Sequence, residues 1–328
     1  MPLGTENPLR RSRRVRTLEG MNLNHQSLAG IDPRFVFDYR ALDADGVDEM
    51  FADDVDAAGE PRGTGDTAAR PEQRTTTYWD VTKGDRGPQP LPDWVVTDAG
   101  AIDTECGVLK TGKEADVFLI QRNATNGSGQ ESVMAAKRYR STEHRSFHRA
   151  AAYTDGRRMK KSRDTRALQR GSRYGRALAA EQWAAAEFEA LKNAWSAGLP
   201  VPYPVQRNGT EILMEFIGDP DLSAAPRLAH VKPSVEVAQE YYRQVVLFIT
   251  VLASHGLAHG DLSPYNVLAD GSDIVVIDMP QVVDLVGNPR GKEFLARDCR
   301  TMCAWFTSRG LQRSADDVFE VAWSQVGG

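Results

Sequence analysis

The chain has 328 residues, 41 % of them hydrophobic and 26 % charged, with a formal net charge of −5. That length suggests about two folding units with enough apolar content for a real core, and the charge balance excludes a uniformly basic nucleic-acid-binding protein. Three cysteines, Cys106, Cys299 and Cys303, form too sparse and odd a set for a disulfide framework and point to a reducing compartment.

Residues 1–90 read as a largely disordered N-terminal tail, basic and then acidic. Arg10, Arg11, Arg13, Arg14 and Arg16 open it without the apolar core that a secretory signal carries. Residues 41–60 hold eight acids and no Lys or Arg, and 59–77 are rich in Gly, Pro, Thr and Arg. Such stretches bury too little apolar surface to offset the entropy of ordering. A short helix near Phe35–Tyr39 is the one local exception.

Packing is expected from about Leu91. ADVFLIQR (115–122) alternates as a strand, NATNGSGQ (123–130) is turn-forming, and SVMAAKRYR (132–140) reads as the next strand. Residues 137–176 then carry fourteen Lys or Arg against three acids, a net of +11. The Ala- and Glu-rich stretch 177–199 predicts a helix closed by Gly198 and Pro200. Residues 201–218 read as strand, Asn-Gly turn, strand; 234–256 as a helix; 273–279 as a strand ending in an acid; and 291–326 as helical. Val245–Ala253, the longest apolar stretch, falls far short of the ~20 residues of a membrane helix. Cys299 and Cys303, four apart with no CxxC or HxxxH partner, read as small core side chains rather than a zinc pair. The order, β-rich and then mainly helical, predicts an α+β chain of two lobes, about 91–218 and 219–328, soluble and cytoplasmic.

The chemistry is concentrated in His259-Gly260-Asp261-Leu262-Ser263-Pro264-Tyr265-Asn266, followed by Ile277-Asp278. Phosphoryl transfer from ATP needs a placed nucleophile, metal ions on the phosphates and a cation beside them. Asp261 can accept the proton of an attacking hydroxyl, while Asn266 and Asp278 offer the hard oxygens that Mg²⁺ prefers. Lys137, ending the apolar strand VMAAKRY, can reach phosphates, with Glu187 as its helical carboxylate partner and Glu181 behind it. KTGKEADVF (110–118) lies between two strands as a phosphate-covering loop would, with Gly112 permitting close backbone approach. Each piece alone has a plain structural explanation, such as a strand-end lysine or a turn-forming aspartate. Their conjunction, in order, is what carries the argument.

These stretches, together with SFHRAAAYTDGRRMKKSRDTRA, ILMEFIG, VIDMPQ and FLARDCRTMCAWFTSRG, resemble the RIO family of atypical serine/threonine protein kinases over about residues 105–310. The resemblance implies a two-lobed protein-kinase-like fold with a β-rich N-lobe and a mainly helical C-lobe. It makes Asp261 the catalytic aspartate, Asn266 and Asp278 the metal ligands, and Asp278 a residue that can be transiently phosphorylated. Lys137 becomes the ATP-phosphate lysine and Glu187 its partner. Thr111, Gly112, Lys113, Glu114, Ala115 and Val117 form the phosphate loop, and Met214, Glu215 and Ile217 the adenine-facing hinge. The implied cofactors are ATP and Mg²⁺, with Mn²⁺ as a substitute, and the implied substrate is a protein or the chain itself. Departures are Asp278-Met279-Pro280 in place of Asp-Phe-Gly, and the lack of an Ala-Pro-Glu segment in the 50 residues after Asp278.

Two other functions remain open at this level. A small-molecule phosphotransferase of the aminoglycoside type shares the H-G-D-x-x-x-x-N loop but usually adds a large helical lobe. A ribosome- or RNA-binding scaffold gated by ATP would use the basic region 141–176 electrostatically, although that region reads equally as a solvated loop.

Overall fold

The computed structural model describes residues 72–140, 173–280 and 282–327. The expected helix near 35–39 and nearly all of the basic region 141–176 lie outside them. Ten strands and four α-helices are named here in chain order: β1 Gln73–Thr75, β2 Ile102–Thr111, β3 Ala115–Asn123, β4 Glu131–Tyr139, α1 Arg173–Ser196, β5 Pro204–Asn208, β6 Glu211–Glu215, α2 Val235–Ser254, β7 Leu257–Ala258, β8 Val267–Asp270, β9 Asp273–Val276, β10 Val283–Asp284, α3 Gly291–Ser308 and α4 Ala315–Trp323.

Strand propensity and turn chemistry account for the first lobe. β3 gathers Val117, Phe118 and Ile120, and β4 holds Val133 and Tyr139; the two pair antiparallel from Ala115↔Tyr139 to Asn123↔Glu131. The loop between them closes with Ala124 N donating to Gln130 O at 2.9 Å. Gly127 and Gly129 take positive φ there, which glycine adopts at little cost. The six strands follow the order β1-β2-β3-β4-β6-β5. Ile120, Met134, Tyr203, Val205 and Leu213 form a core on one face with Tyr78 and Val95. On the other face Ile212 and Met214 join the cluster that holds Ala180, Ala184, Phe188 and Leu191 of α1. The alanines keep the α1 backbone close to the sheet.

The second lobe is helical, with two short ribbons, β7–β10 and β8–β9. Ser234 and Ser314 cap α2 and α4 by accepting from the amides of Val237 and Asp317. Phe248, Ile249 and Leu252 of α2 pack in one core with Phe294, Cys299, Met302, Cys303 and Phe306 of α3. Burying each large side chain stabilises the lobe by about 1.5–3 kcal/mol. The single helical region expected over 291–326 is two helices, because Gly310 at φ +87 turns the chain between them.

The start of the folded part is corrected. Packing begins well before Leu91, because β1 pairs with β2 through Gln73↔Thr104 and Thr75↔Ile102. The following strap is ordered by tertiary bonds rather than by local propensity. The Arg86 guanidinium donates to the carbonyls of Tyr78, Trp79 and Val81 at 2.9, 3.1 and 2.9 Å. Gly87 N donates to Val205 O at 3.0 Å, covering the β5 edge. A Cβ on Gly87 would meet Pro204 O at 2.2 Å, so this approach requires glycine. Under the strap, Arg122 is fully buried, with Nε and Nη2 on the two oxygens of Asp103 at 2.6 and 2.9 Å. Its remaining bonds go to Val96 O and the Gln206 amide oxygen.

Candidate functional site

The site lies where the sheet meets the helical lobe. β4 carries Lys137 in register between Val117 of β3 and Ile212 of β6. Its Nζ stands 2.6 Å from Glu187 Oε1 and 2.6 Å from Asp278 Oδ1. Glu187, in the middle of α1, is 1 % exposed, while Glu181 is exposed on the same helix and takes no part. The Tyr139 hydroxyl donates to Glu187 Oε2 at 2.5 Å, so both carboxylate oxygens are held. Burial works against the Lys137 charge, but the attraction of Asp278 and Glu187 outweighs it and raises the pKa, keeping the ammonium charged. Burial likewise pushes the Asp278 carboxyl up, and Lys137 more than offsets this, leaving it below the usual carboxylate range.

The sequence reading put Asp278 at the end of a strand; the structure puts it two residues beyond β9, at φ +66. This is the left-handed region, uncommon for a residue with a Cβ and of order 1–3 kcal/mol in cost. The side chain stays 44 % exposed toward the cleft while its Oδ1 holds Lys137.

Above Lys137, β2 and β3 close a short hairpin through Gly112, Lys113 and Glu114. Gly112 N donates to Ala115 O at 3.0 Å and Arg140 N donates to Glu114 O at 2.8 Å. A Cβ on Gly112 would come within 2.9 Å of Ala115 O. Burial raises the Glu114 carboxyl above its usual range; the charge of Asp278 adds to this and Lys137 opposes it, which places Glu114 in the same electrostatic neighbourhood. Lys113 and Thr111 are exposed. At the far end of the cleft Met214 and Ile217 are buried beside Glu215. The backbone there is held by Glu215 N donating to Tyr203 O and Ala225 N donating to Ile217 O, each at 2.9 Å.

The loop carrying Asp261 is braced from several sides. Asn266 Nδ2 donates to Asp261 O at 2.9 Å, Asn266 N to Ser263 O at 2.9 Å, and Ile277 N to Asn266 O at 2.9 Å. Because the Asn266 nitrogen is committed to that bond, its amide oxygen is the group left to meet a cation. Burial pushes the Asp261 carboxyl up to about 6, with Arg297 opposing and Asp278 and Glu114 adding to the rise. Burial lowers His259 to about 4, so the ring is neutral at pH 7.

Sequence reasoning missed three residues: Tyr139, Arg297 and Asp298. Asp298, 2 % exposed on α3, accepts from Gly260 N at 2.9 Å and Leu262 N at 3.0 Å, pinning the loop on either side of Asp261. Burial raises its carboxyl to about 7 against those two amides. A signal was present: Asp298 sits four residues from both Phe294 and Met302, on the buried stripe of an amphipathic helix, where an acid needs dedicated partners. Arg297 places Nη2 3.6 Å from Asp261 Oδ1.

The oxygen donors fit a divalent cation of the hard class. Asp278 offers a partly exposed carboxylate and Asn266 an amide oxygen, and among the described residues no group of three or more His, Cys, Asp or Glu forms an all-protein cage. Mg²⁺ is commonly held by one or two carboxylates, with water and phosphate oxygens completing its shell.

The sequence profile described as "RIO domain" matches residues 117–318. The chain is 34 % identical over 228 residues to the RIO-type serine/threonine-protein kinase Rio1 of Haloferax volcanii, covering 70 % of this chain and 72 % of that one. It is 29 % identical to the human serine/threonine-protein kinase RIO3, over 68 % of this chain and 42 % of that one. Against human serine/threonine-protein kinase RIO1 the identity is 30 %, over 63 % of this chain and 34 % of that one. The chain therefore spans less than half the length of these human relatives.

Proposed function

This chain belongs to the RIO family of serine/threonine-protein kinases, and from that premise we propose that it transfers the γ-phosphoryl group of ATP, bound with Mg²⁺, to a serine or threonine hydroxyl. The acceptor is a residue of its own chain or of a protein substrate, and water is the competing acceptor. The observation that carries this reading is Lys137 held at 2.6 Å by both Glu187 and Asp278, one charge fixed between a buried helix and the metal-facing acid.

In this reading Lys137 meets the α- and β-phosphates, oriented by Glu187. The hairpin residues Thr111, Gly112, Lys113, Glu114 and Ala115 cover the phosphates, with Val117 beneath them. Met214, Glu215 and Ile217 line the adenine end. Asn266 and Asp278 hold the divalent ion, which supplies charge neutralisation on the phosphate oxygens; Mn²⁺ suits the same hard donors. Asp261 accepts the proton of the attacking hydroxyl. Its carboxyl, at about 6, is ionised at pH 7 and yet basic enough to take that proton.

The match of residues 117–318 to the RIO domain, with the relatives named serine/threonine-protein kinases, favours this reading over a small-molecule phosphotransferase. No helix of the described residues is long and apolar enough to cross a membrane; a soluble, cytoplasmic location is part of the proposal. Contact of the basic region 141–176 with RNA or the ribosome belongs to the proposal on its charge alone.

The test is incubation of the full chain with Mg²⁺ and γ-labelled ATP, following protein label and free phosphate together. Wild type labels itself or releases phosphate, while Asp261→Ala and Lys137→Ala do neither. ATP binding without either product in the wild type would overturn the enzymatic reading in favour of a nucleotide-gated scaffold.

A further inference from the structure

The loop from His259 to Asn266 contains the acid that receives the proton but no Lys or Arg. The cleft around it is rich in carboxylates: Glu114, Glu187, Asp261 and Asp278. The cations Lys137 and Lys110 act at Asp278, on the nucleotide side. Negative charge on the three oxygens of a transferring phosphoryl group therefore lacks a cationic partner from the loop that faces the acceptor, where preorganised donors contribute most to rate.

Arg297 answers that need from a different element. It lies on α3 one residue before Asp298, whose carboxylate holds the amides of Gly260 and Leu262. One turn of a single helix thus fixes the Asp261 loop and presents a guanidinium to it. The contact with Asp261 Oδ1 is 3.6 Å, an ion pair too long for a hydrogen bond, and the Arg297 side chain is 30 % exposed. The guanidiniums that hold architecture here make hydrogen bonds, whether buried or not: Arg122 to Asp103 at 2.6 and 2.9 Å, and the 31 % exposed Arg138 to Glu211 and Glu105 at 2.6 and 2.8 Å.

Resting on the assignment of Asp261 as the proton acceptor, we propose that Arg297 is a further catalytic residue, its guanidinium shared between the Asp261 carboxylate in the free enzyme and the oxygens of the transferring phosphoryl group during turnover. In that step the acceptor oxygen forms its bond to phosphorus as the bond from phosphorus to the β–γ bridging oxygen breaks. The electron pair of the broken bond leaves with ADP, and the hydroxyl proton passes to Asp261. Arg297 makes and breaks no covalent bond; the planar fork of its donors matches two phosphoryl oxygens.

The experiment measures phosphoryl transfer and phosphate release by the full chain, alongside nucleotide affinity and melting temperature. Wild type is compared with Arg297→Ala, Arg297→Lys and Asp261→Ala. The expected result is a kcat for Arg297→Ala about 10²-fold below wild type, the scale of losing one preorganised donor. ATP affinity should stay within about threefold. Arg297→Lys recovers part of the rate, and added methylguanidinium raises the rate of Arg297→Ala but not of Asp261→Ala. A kcat for Arg297→Ala within about threefold of wild type overturns the inference. So does a loss that tracks a lowered melting temperature and ignores methylguanidinium, since that marks a scaffolding role. If Asp261→Ala is itself as active as wild type, the functional reading beneath the inference falls instead.

Discussion

Arg122 and Lys137 sit on neighbouring strands of one sheet, and each is paired with carboxylate, yet they serve opposite ends. Arg122 faces one acid, spends its other donors on a carbonyl and an amide, and is closed from solvent, so its charge is balanced and its bonds are filled. Lys137 faces two acids, with Glu114 nearby, and one of those acids is 44 % exposed at a left-handed backbone position. The first centre is complete as it stands. The second carries surplus negative charge and an open side, which supports the proposed binding of a cation with its phosphates. Electrostatic incompleteness next to a cleft separates a site from a staple more reliably than the presence of an ion pair does.

The contrast can be broken at either end. Arg122→Met leaves Asp103 buried without its partner and is expected to cost about 3–5 kcal/mol of stability. Denaturant unfolding should show that loss, while turnover per folded molecule stays near wild type; a lost turnover in soluble, folded protein would contradict the division of roles. Asp278→Gly makes the opposite trade. It should reduce phosphoryl transfer by at least about 10²-fold. It should also cost no more than about 1 kcal/mol of stability, because glycine adopts φ +66 without strain.

Asp298→Asn sharpens the comparison from beneath the loop. An amide has one oxygen for the two backbone N–H groups of Gly260 and Leu262, and an unmatched buried donor costs about 1–3 kcal/mol. A kcat effect larger than the KM effect would mark misplacement of Asp261. The pH profile carries a further check. With Asp261 raised to about 6, kcat/KM should fall as pH drops through that value, because the protonated acid cannot accept a proton. A limb near the ordinary carboxylate range would refute that environment. The smallest expected effect is from Tyr139→Phe, which removes one bond to Glu187 and should cost about 1 kcal/mol.

What could be read in advance, and what could not, divides along physical lines. The loop from His259 to Asn266 and the acid at Asp278 were legible because the chemistry demands certain residue types within a short span. Lys137 and Glu187, fifty residues apart, were named from the chemistry alone, and the structure places them 2.6 Å apart. The lobes followed from periodicity, since β3, β4 and α2 have strong local patterns. The strap was illegible because nothing local orders it: Arg86 finds three carbonyls and Gly87 touches Pro204 only once the sheet exists. Asp298 went unnamed because no short-range motif marks it; its place on the buried stripe of the helix was the clue.

The strap also sets an order of events during synthesis. Its anchors lie far downstream: Asp85 pairs with Arg207 122 residues later, Thr77 with Gln206 129 later, and Arg74 with Glu211 137 later. At ribosomal rates of 5–20 residues per second, roughly 6 to 27 seconds separate the making of the strap from the making of the strands it covers. Until then Tyr78 and Val95 have no β5 to pack against, and the β5 edge, once made, stays open until the strap returns to it. Of the described residues, those made first are among the last to be secured.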